Sequence, residues 1–171
     1  GYAEVAKYGL LGDAPFFAWL ETSAHLLLRG DTQARALAIH KSCAAKAAIV
    51  AEAETEQGVR ALLNLGHTCG HALEQATGYS QTLLHGEAVA IGMVQAFLFS
   101  EARGLCAKGT GARVAAHLKS AGLPTRLADV RAELPSSPAL VDIMYQDKKA
   151  VGGELTFILA NGIGEAFVAR K

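Results

Sequence analysis

The sequence predicts a mainly α, multi-helix domain that ends in a small β-hairpin. Three observations carry this. Long runs with apolar residues at helical spacing recur along the chain, each bracketed by a capping residue or proline and a glycine. The period changes once, near the end, where two short β-rich runs flank Asn161-Gly162. Half of the 171 residues are hydrophobic (51%), enough for one domain, residues 1–171, with a core of its own.

The elements follow in order. Pro15 opens FFAWLETSAHLLLR, and Gly30 stands just past its end, the usual asymmetry of helix termini. Asp31 caps the alanine-rich TQARALAIHKSCAAKAAIVAEAE, which runs to a break at Gly58. The helical signal resumes from Val59 to Ala76 and stops at Gly78-Tyr79-Ser80. His85 to Leu105 reads as a long helix apolar on most sides, hence buried. Gly111 to Ala121 is shorter and is stopped by Gly122 and Pro124; a proline-containing loop leads to Ser137. Pro138 then starts ALVDIMYQDKK, and ELTFILA, Asn161-Gly162 and IGEAFVA form the hairpin pattern.

Composition removes several function classes. Sixteen Lys and Arg balance sixteen Asp and Glu, so the chain lacks the positive field of a nucleic-acid or anionic-membrane binder. No apolar stretch reaches spanning length. Three cysteines without CxxC spacing fit neither a disulfide framework nor a thiolate zinc site, and they suit a reducing cytoplasm. The first residue, Gly1, is neither an initiator methionine nor part of a signal peptide, and the chain reads as part of a longer protein.

The chemistry concentrates in NLGHTCGHALE and the His85-Gly86-Glu87 that follows it. On one continuous helix Asn64, His67, His71 and Glu74 share a face, with Arg60 one turn earlier. Gly66 and Gly70 inside a helix cost about 1 kcal/mol each relative to alanine, so another backbone or a bound molecule must come close there. A pair of histidines four apart is more often a satisfied packing seam than a metal site, and it lacks the glutamate of HExxH. His85 raises the case for a metal, because imidazoles are preferred zinc-type ligands and a catalytic ion takes three protein ligands. The missing carboxylate is Glu4, Glu74 or Glu87. Lys46, Arg60 and Lys148-Lys149 each read, taken singly, as solvated cations; Arg60, on the face of the histidines, is the one suited to a phosphate or carboxylate beside a metal, and the helix start at His85-Gly86 also favours an anion. His25, His40 and His117 read as surface or structural residues.

Taken together, GYAEVAKYGLLGD, RALLNLGHTCGHALE, LHGEAVAIGMV and the DKK before the hairpin resemble the dehydroquinate synthase family, over nearly the whole chain and specifically over its C-terminal helical domain. The resemblance implies a divalent metal, zinc or cobalt, held by Glu4, His67 and His85. It implies that Lys7, Lys46, Arg60, Asn64, His71 and Lys148 or Lys149 face a seven-carbon keto-acid sugar phosphate. It also implies NAD, held by an N-terminal Rossmann-like domain for which this chain has no GxGxxG, and a cytoplasmic homodimer. The implied reaction converts 3-deoxy-D-arabino-heptulosonate 7-phosphate to 3-dehydroquinate and phosphate, by transient oxidation, elimination, re-reduction and aldol closure. Cys69 stands where the family commonly has an aromatic or aliphatic residue, Thr55 and Gln57 depart from its usual pattern, and the loop from Tyr79 to Leu84 is slightly long. Competing readings are another sugar phosphate cyclase, a metal-dependent polyol dehydrogenase, or a non-enzymatic module whose structural metal takes Cys69 as a fourth ligand.

Overall fold

A computed structural model describes residues 1–53, 58–149 and 156–170, without the side chains of 147–149 and 170. Among them are seven α-helices and one hairpin. They are α1 (Tyr2–Gly12), α2 (Ala14–Arg29), α3 (Thr32–Glu52), α4 (His67–Ala76), α5 (His85–Ala102), α6 (Thr110–Ser120), α7 (Ser137–Lys149), β1 (Thr156–Ala160) and β2 (Ala166–Arg170). Short 3-10 turns occupy Val59–Asn64 and Leu127–Asp129.

Local chemistry sets the boundaries. The Asp13 carboxylate accepts from Phe16 N at 2.9 Å and starts α2, which ends on Gly30 at φ 94°. Asp31 caps α3 in the same way through Ala34 N at 2.8 Å. Helix α5 is the central beam: Val89, Ala90, Ile91, Met93, Val94 and Phe97 are all buried. Around it Leu10, Phe17, Leu20, Leu65 and Leu118 form the main core, and Leu73, Leu83, Ile91 and Leu140 form a second cluster between α4, α5 and α7. Each such side chain contributes about 1.5–3 kcal/mol by leaving water. Helix α3 is the opposite case. Only Ala34 and Ala38 are buried in it, with Ala45 and Ile49 partly buried against the main core.

Three expectations are corrected. Residues 59–76 are not one helix: the 3-10 turn through Asn64 gives way to extended Leu65 (ψ 122°) and left-handed Gly66 (φ 80°) before α4 begins. Gly66 is therefore a cap and not a helix-interior glycine. The hairpin does not turn on Asn161-Gly162 either. Its loop runs from Asn161 to Glu165, and the left-handed residue is Gly164 (φ 82°), which donates to the Leu10 carbonyl at 2.9 Å and seats the hairpin on α1. A second tie is buried: Ser100 Oγ accepts from Ala160 N at 3.0 Å and donates to Ala96 O at 2.8 Å, joining β1 to α5. Finally, α5 ends at Ala102 and not at Leu105. The departures at Thr55 and Gln57 lie outside the described residues.

The glycines explain how α4 meets α5. A β-carbon on Gly92 would stand 2.0 Å from the Gly66 carbonyl oxygen, and one on Gly70 would stand 3.2 Å from Val89 N. Residue 66 thus lies against 92, and 70 against 88–89, so the helices run in opposite directions with their backbones in contact. Continuing that register brings Glu74, near the end of α4, to His85 at the start of α5.

Candidate metal centre

Three chain segments converge on one spot. Glu4 lies in the first turn of α1, His67 is the first residue of α4 and His85 the first of α5. One donor atom from each lies within 4.8 Å of the other two. His67 Nε2 is 3.6 Å from Glu4 Oε1, too far for a hydrogen bond. Two ligands at 2.0–2.1 Å from a tetrahedral ion stand about 3.3–3.4 Å apart, so that separation suits a shared cation. Although the Glu4 side chain is 38% exposed as a whole, its Oε1 is buried and has no hydrogen-bond partner among the described residues. A buried carboxylate oxygen left in this state is costly unless a cation meets it. One carboxylate oxygen and two imidazole nitrogens are a donor set that zinc and cobalt accept, so the residues fit the metal.

The other atoms of these ligands are tied down. Glu4 Oε2 accepts from Lys7 Nζ at 2.6 Å, and although two opposite charges three apart on a helix usually form a solvated surface pair, Lys7 is 3% exposed. His67 Nδ1 faces the Leu65 carbonyl at 3.2 Å. Burial, foremost, pushes the His67 imidazole below its ordinary pKa, and the Lys7 ammonium acts in the same direction while Leu65 and Glu4 oppose it. A neutral ring is the ligating form. His85 is half exposed, and its Nδ1 meets both oxygens of the mostly buried Glu74 at 3.1 Å. Glu87, the third candidate carboxylate, is committed elsewhere: it accepts from Leu84 N at 2.8 Å and caps α5.

His71 is exposed, with its ring centroid 5.5 Å from that of His67 and 6.1 Å from that of His85. Asn64 and Arg60 are exposed on the 3-10 turn, before the break and not on the α4 face where a single helix would have put them. Asn64 instead lines a cavity of about 320 Å³, mostly apolar, between α4, α5, α7 and β1. Lys46 is exposed on α3, the helix on which the 3-10 turn packs. The side chains of Lys148 and Lys149, at the end of α7, lie outside those described. Cys69 is in the wall of the same cavity and belongs to neither group of clustered metal donors among the described residues. Burial pushes its thiol up to about 11, away from the thiolate a metal requires. That argues against the closed, Cys69-ligated shell.

Sequence reasoning left two features unseen. Tyr2 and His117 pair at 2.7 Å, though both lie in ordinary helical surroundings in the sequence. Burial of Lys7 could have been suspected from the apolar residues on either side of it in YAEVAKYGLL.

Residues 1–150 match the family model described as 3-dehydroquinate synthase C-terminal. A 3-dehydroquinate synthase of Ruegeria pomeroyi is 60% identical over 168 residues, which are 98% of this chain and 45% of that protein. The chain thus spans about half the length of the curated relatives it matches. Among solved structures, a 2-epi-5-epi-valiolone synthase from Streptomyces hygroscopicus subsp. jinggangensis, with NAD+ and Zn2+ bound, superposes with a TM-score of 0.83 at 26% identity, over 99% of this chain and 46% of that one. A 2-deoxy-scyllo-inosose synthase complexed with carbaglucose-6-phosphate, NAD+ and Co2+ shares the fold, with a TM-score of 0.69 at 21% identity over 99% of this chain and 48% of the other. No helix among the described residues is long and apolar enough to cross a membrane.

Proposed function

The chain belongs to the 3-dehydroquinate synthase C-terminal family, and we propose that it is the metal- and substrate-binding part of a longer 3-dehydroquinate synthase. That enzyme is a phosphate-eliminating carbon-oxygen lyase that converts 3-deoxy-D-arabino-heptulosonate 7-phosphate to 3-dehydroquinate and phosphate in the cytoplasm, as a homodimer. The observation that carries the reading is the buried Glu4 Oε1, without a hydrogen-bond partner among the described residues, beside His67 Nε2 and with a nitrogen of His85 in reach of both.

In this reading Glu4, His67 and His85 hold zinc or cobalt. When bound, the ion would supply Lewis-acid polarisation of a substrate oxygen, and NAD, carried by the rest of the protein, would supply reversible hydride acceptance. The residues of this chain do the remainder. Lys7 holds the second oxygen of Glu4 and leaves the first facing the imidazoles. Its ammonium, fixed in a buried position, also offers a preorganised positive charge beside a developing oxyanion. His71, at the edge of the ligand set, moves a proton between substrate and solvent. Arg60, Lys46, Asn64 and Lys148 bind the carboxylate and phosphate ends, for which a planar guanidinium is well shaped.

The test is phosphate release by the intact protein from the heptulosonate phosphate. Activity should vanish with a chelator, return with zinc or cobalt, and be absent from residues 1–171 alone; turnover that persists without metal would refute the reading. A second reading, a sister sugar phosphate cyclase, draws on the fold shared with the 2-epi-5-epi-valiolone synthase. It would use a heptulose phosphate without the carboxylate, and turnover of that substrate in preference to the keto acid would select it. A metal-dependent polyol dehydrogenase would release no phosphate at all.

A further inference from the structure

Both histidines of the candidate centre are oriented through the same ring atom. His67 Nδ1 stands 3.2 Å from the Leu65 carbonyl, and His85 Nδ1 stands 3.1 Å from each Glu74 oxygen. A carbonyl and a carboxylate accept hydrogen bonds, so in the neutral form of each ring Nδ1 carries the hydrogen and Nε2 keeps the lone pair. His67 is held by backbone, which no substitution removes. His85 depends on a side chain alone, and it is the more exposed of the two rings, 49% against 14%. Without Glu74 it could turn into solvent or exchange tautomers.

We propose that Glu74 is a positioning residue: it holds the Nδ1 hydrogen of His85 and fixes the ring so that Nε2 is presented to the cation shared with Glu4 and His67. This rests on the three-ligand reading above and adds to it a carboxylate that acts through a ligand without being one. The geometry favours this role over direct ligation within the alternative group His71, Glu74 and His85. Both Glu74 oxygens are engaged with the His85 ring, whereas Glu4 Oε1 has no hydrogen bond among the described residues. Carboxylate-histidine-metal relays of this kind set tautomer and ring orientation, and their loss costs about 10–100-fold in metal affinity.

The experiment uses the intact protein as wild type, Glu74→Ala, Glu74→Gln and Glu4→Gln. Histidine ring nitrogen-15 spectra of the metal-free protein report the tautomer directly, with the His85 signals identified by their loss in His85→Asn. Cobalt affinity and the cobalt visible spectrum report the site. Wild type and E74Q, whose amide oxygen still accepts, should show His85 as the Nδ1-H tautomer, and E74A should show a mixture. Cobalt affinity should fall about 10–100-fold in E74A and by less in E74Q, with a four-coordinate spectrum kept in both. E74Q preserves shape and so separates positioning from a folding defect, which circular dichroism would expose in E74A. If E4Q abolishes cobalt binding while E74A leaves affinity and tautomer unchanged, the positioning role is overturned and the three-ligand site stands. If E74A and E74Q abolish binding while E4Q retains it, the cation sits on Glu74 and both readings fail.

Discussion

His67, mostly buried, and His117, buried, both meet α1, and they meet it on roughly opposite sides, through Glu4 and Tyr2. Burial, the largest influence in each case, pushes both rings below their ordinary pKa. Beyond this they differ. His117 Nε2 is paired with the Tyr2 hydroxyl at 2.7 Å, and its ring sits edge-on to Phe17 at 4.9 Å, so the protein satisfies and packs it. His67 Nε2 stops 3.6 Å short of a carboxylate oxygen that has no hydrogen-bond partner among the described residues. Burial alone therefore does not separate a structural histidine from a ligand. What separates them is whether the last polar atom finds its mate within the fold.

The comparison can be broken by experiment, and the largest effect should come from the unsatisfied side. Glu4→Gln or His67→Ala in the intact protein should lower phosphate release by on the order of 1,000-fold, the several kcal/mol a Lewis acid supplies, with little change in the melting temperature of the metal-free protein. A large stability loss in either variant would place His67 with His117 as a structural residue. Next comes the joint between α4 and α5. Gly92→Ala puts a methyl against the Gly66 carbonyl, a backbone atom that cannot swing aside, and should cost about 3 kcal/mol in chemical denaturation. Because Gly66 immediately precedes His67, cobalt affinity should fall with it.

The satisfied side should respond in the reverse sense. Tyr2→Phe leaves His117 Nε2 buried without a partner and should cost about 1–3 kcal/mol of stability, with cobalt affinity unchanged. The smallest effect is on pH. The groups facing His117 are Tyr2, which is raised by its own burial, and Glu21, which partly opposes the downward shift of the ring and is itself paired with Arg113. As pH falls through about 6.5, the unfolded chain takes up a proton at this position before the folded one does. Stability thus rises with pH in that window and is lost on acidification. His117→Gln should flatten the slope of unfolding free energy against pH between about 5 and 7, measured on the metal-free protein by urea titration at each pH.

Much of the architecture could be read from the chain because its signals are local. Asp13, Asp31, Gly30 and Gly122 act on the peptide units beside them, and the helices begin and end where these residues say. The apolar run after His85 became the buried beam. The failures were places where a distant contact decides. The apolar spacing of 59–76 gave no sign that Gly66 must turn left-handed to let Gly92 pass, and Asn161-Gly162 is a stronger turn signal than the Gly164 that Leu10 recruits. At the centre, spacing brought His67, His71 and Glu74 to one face, but it could not choose among Glu4, Glu74 and Glu87. Those three are distinguished only by what lies across from them: two imidazoles, one imidazole's outer edge, and a backbone N–H.

The Gly66–Gly92 contact reaches beyond packing. Where side chains meet, a neighbour can trade volume with another and the gap between two helices drifts; where main chains already touch, there is nothing left to trim. Helices α4 and α5 rest on such a stop, so the interval between the two imidazoles they carry has a floor that repacking elsewhere cannot lower. Any enlargement at residue 66, 70 or 92 can only open it, and the cavity offered to an ion is gauged by peptide bonds and not by the fit of neighbouring side chains.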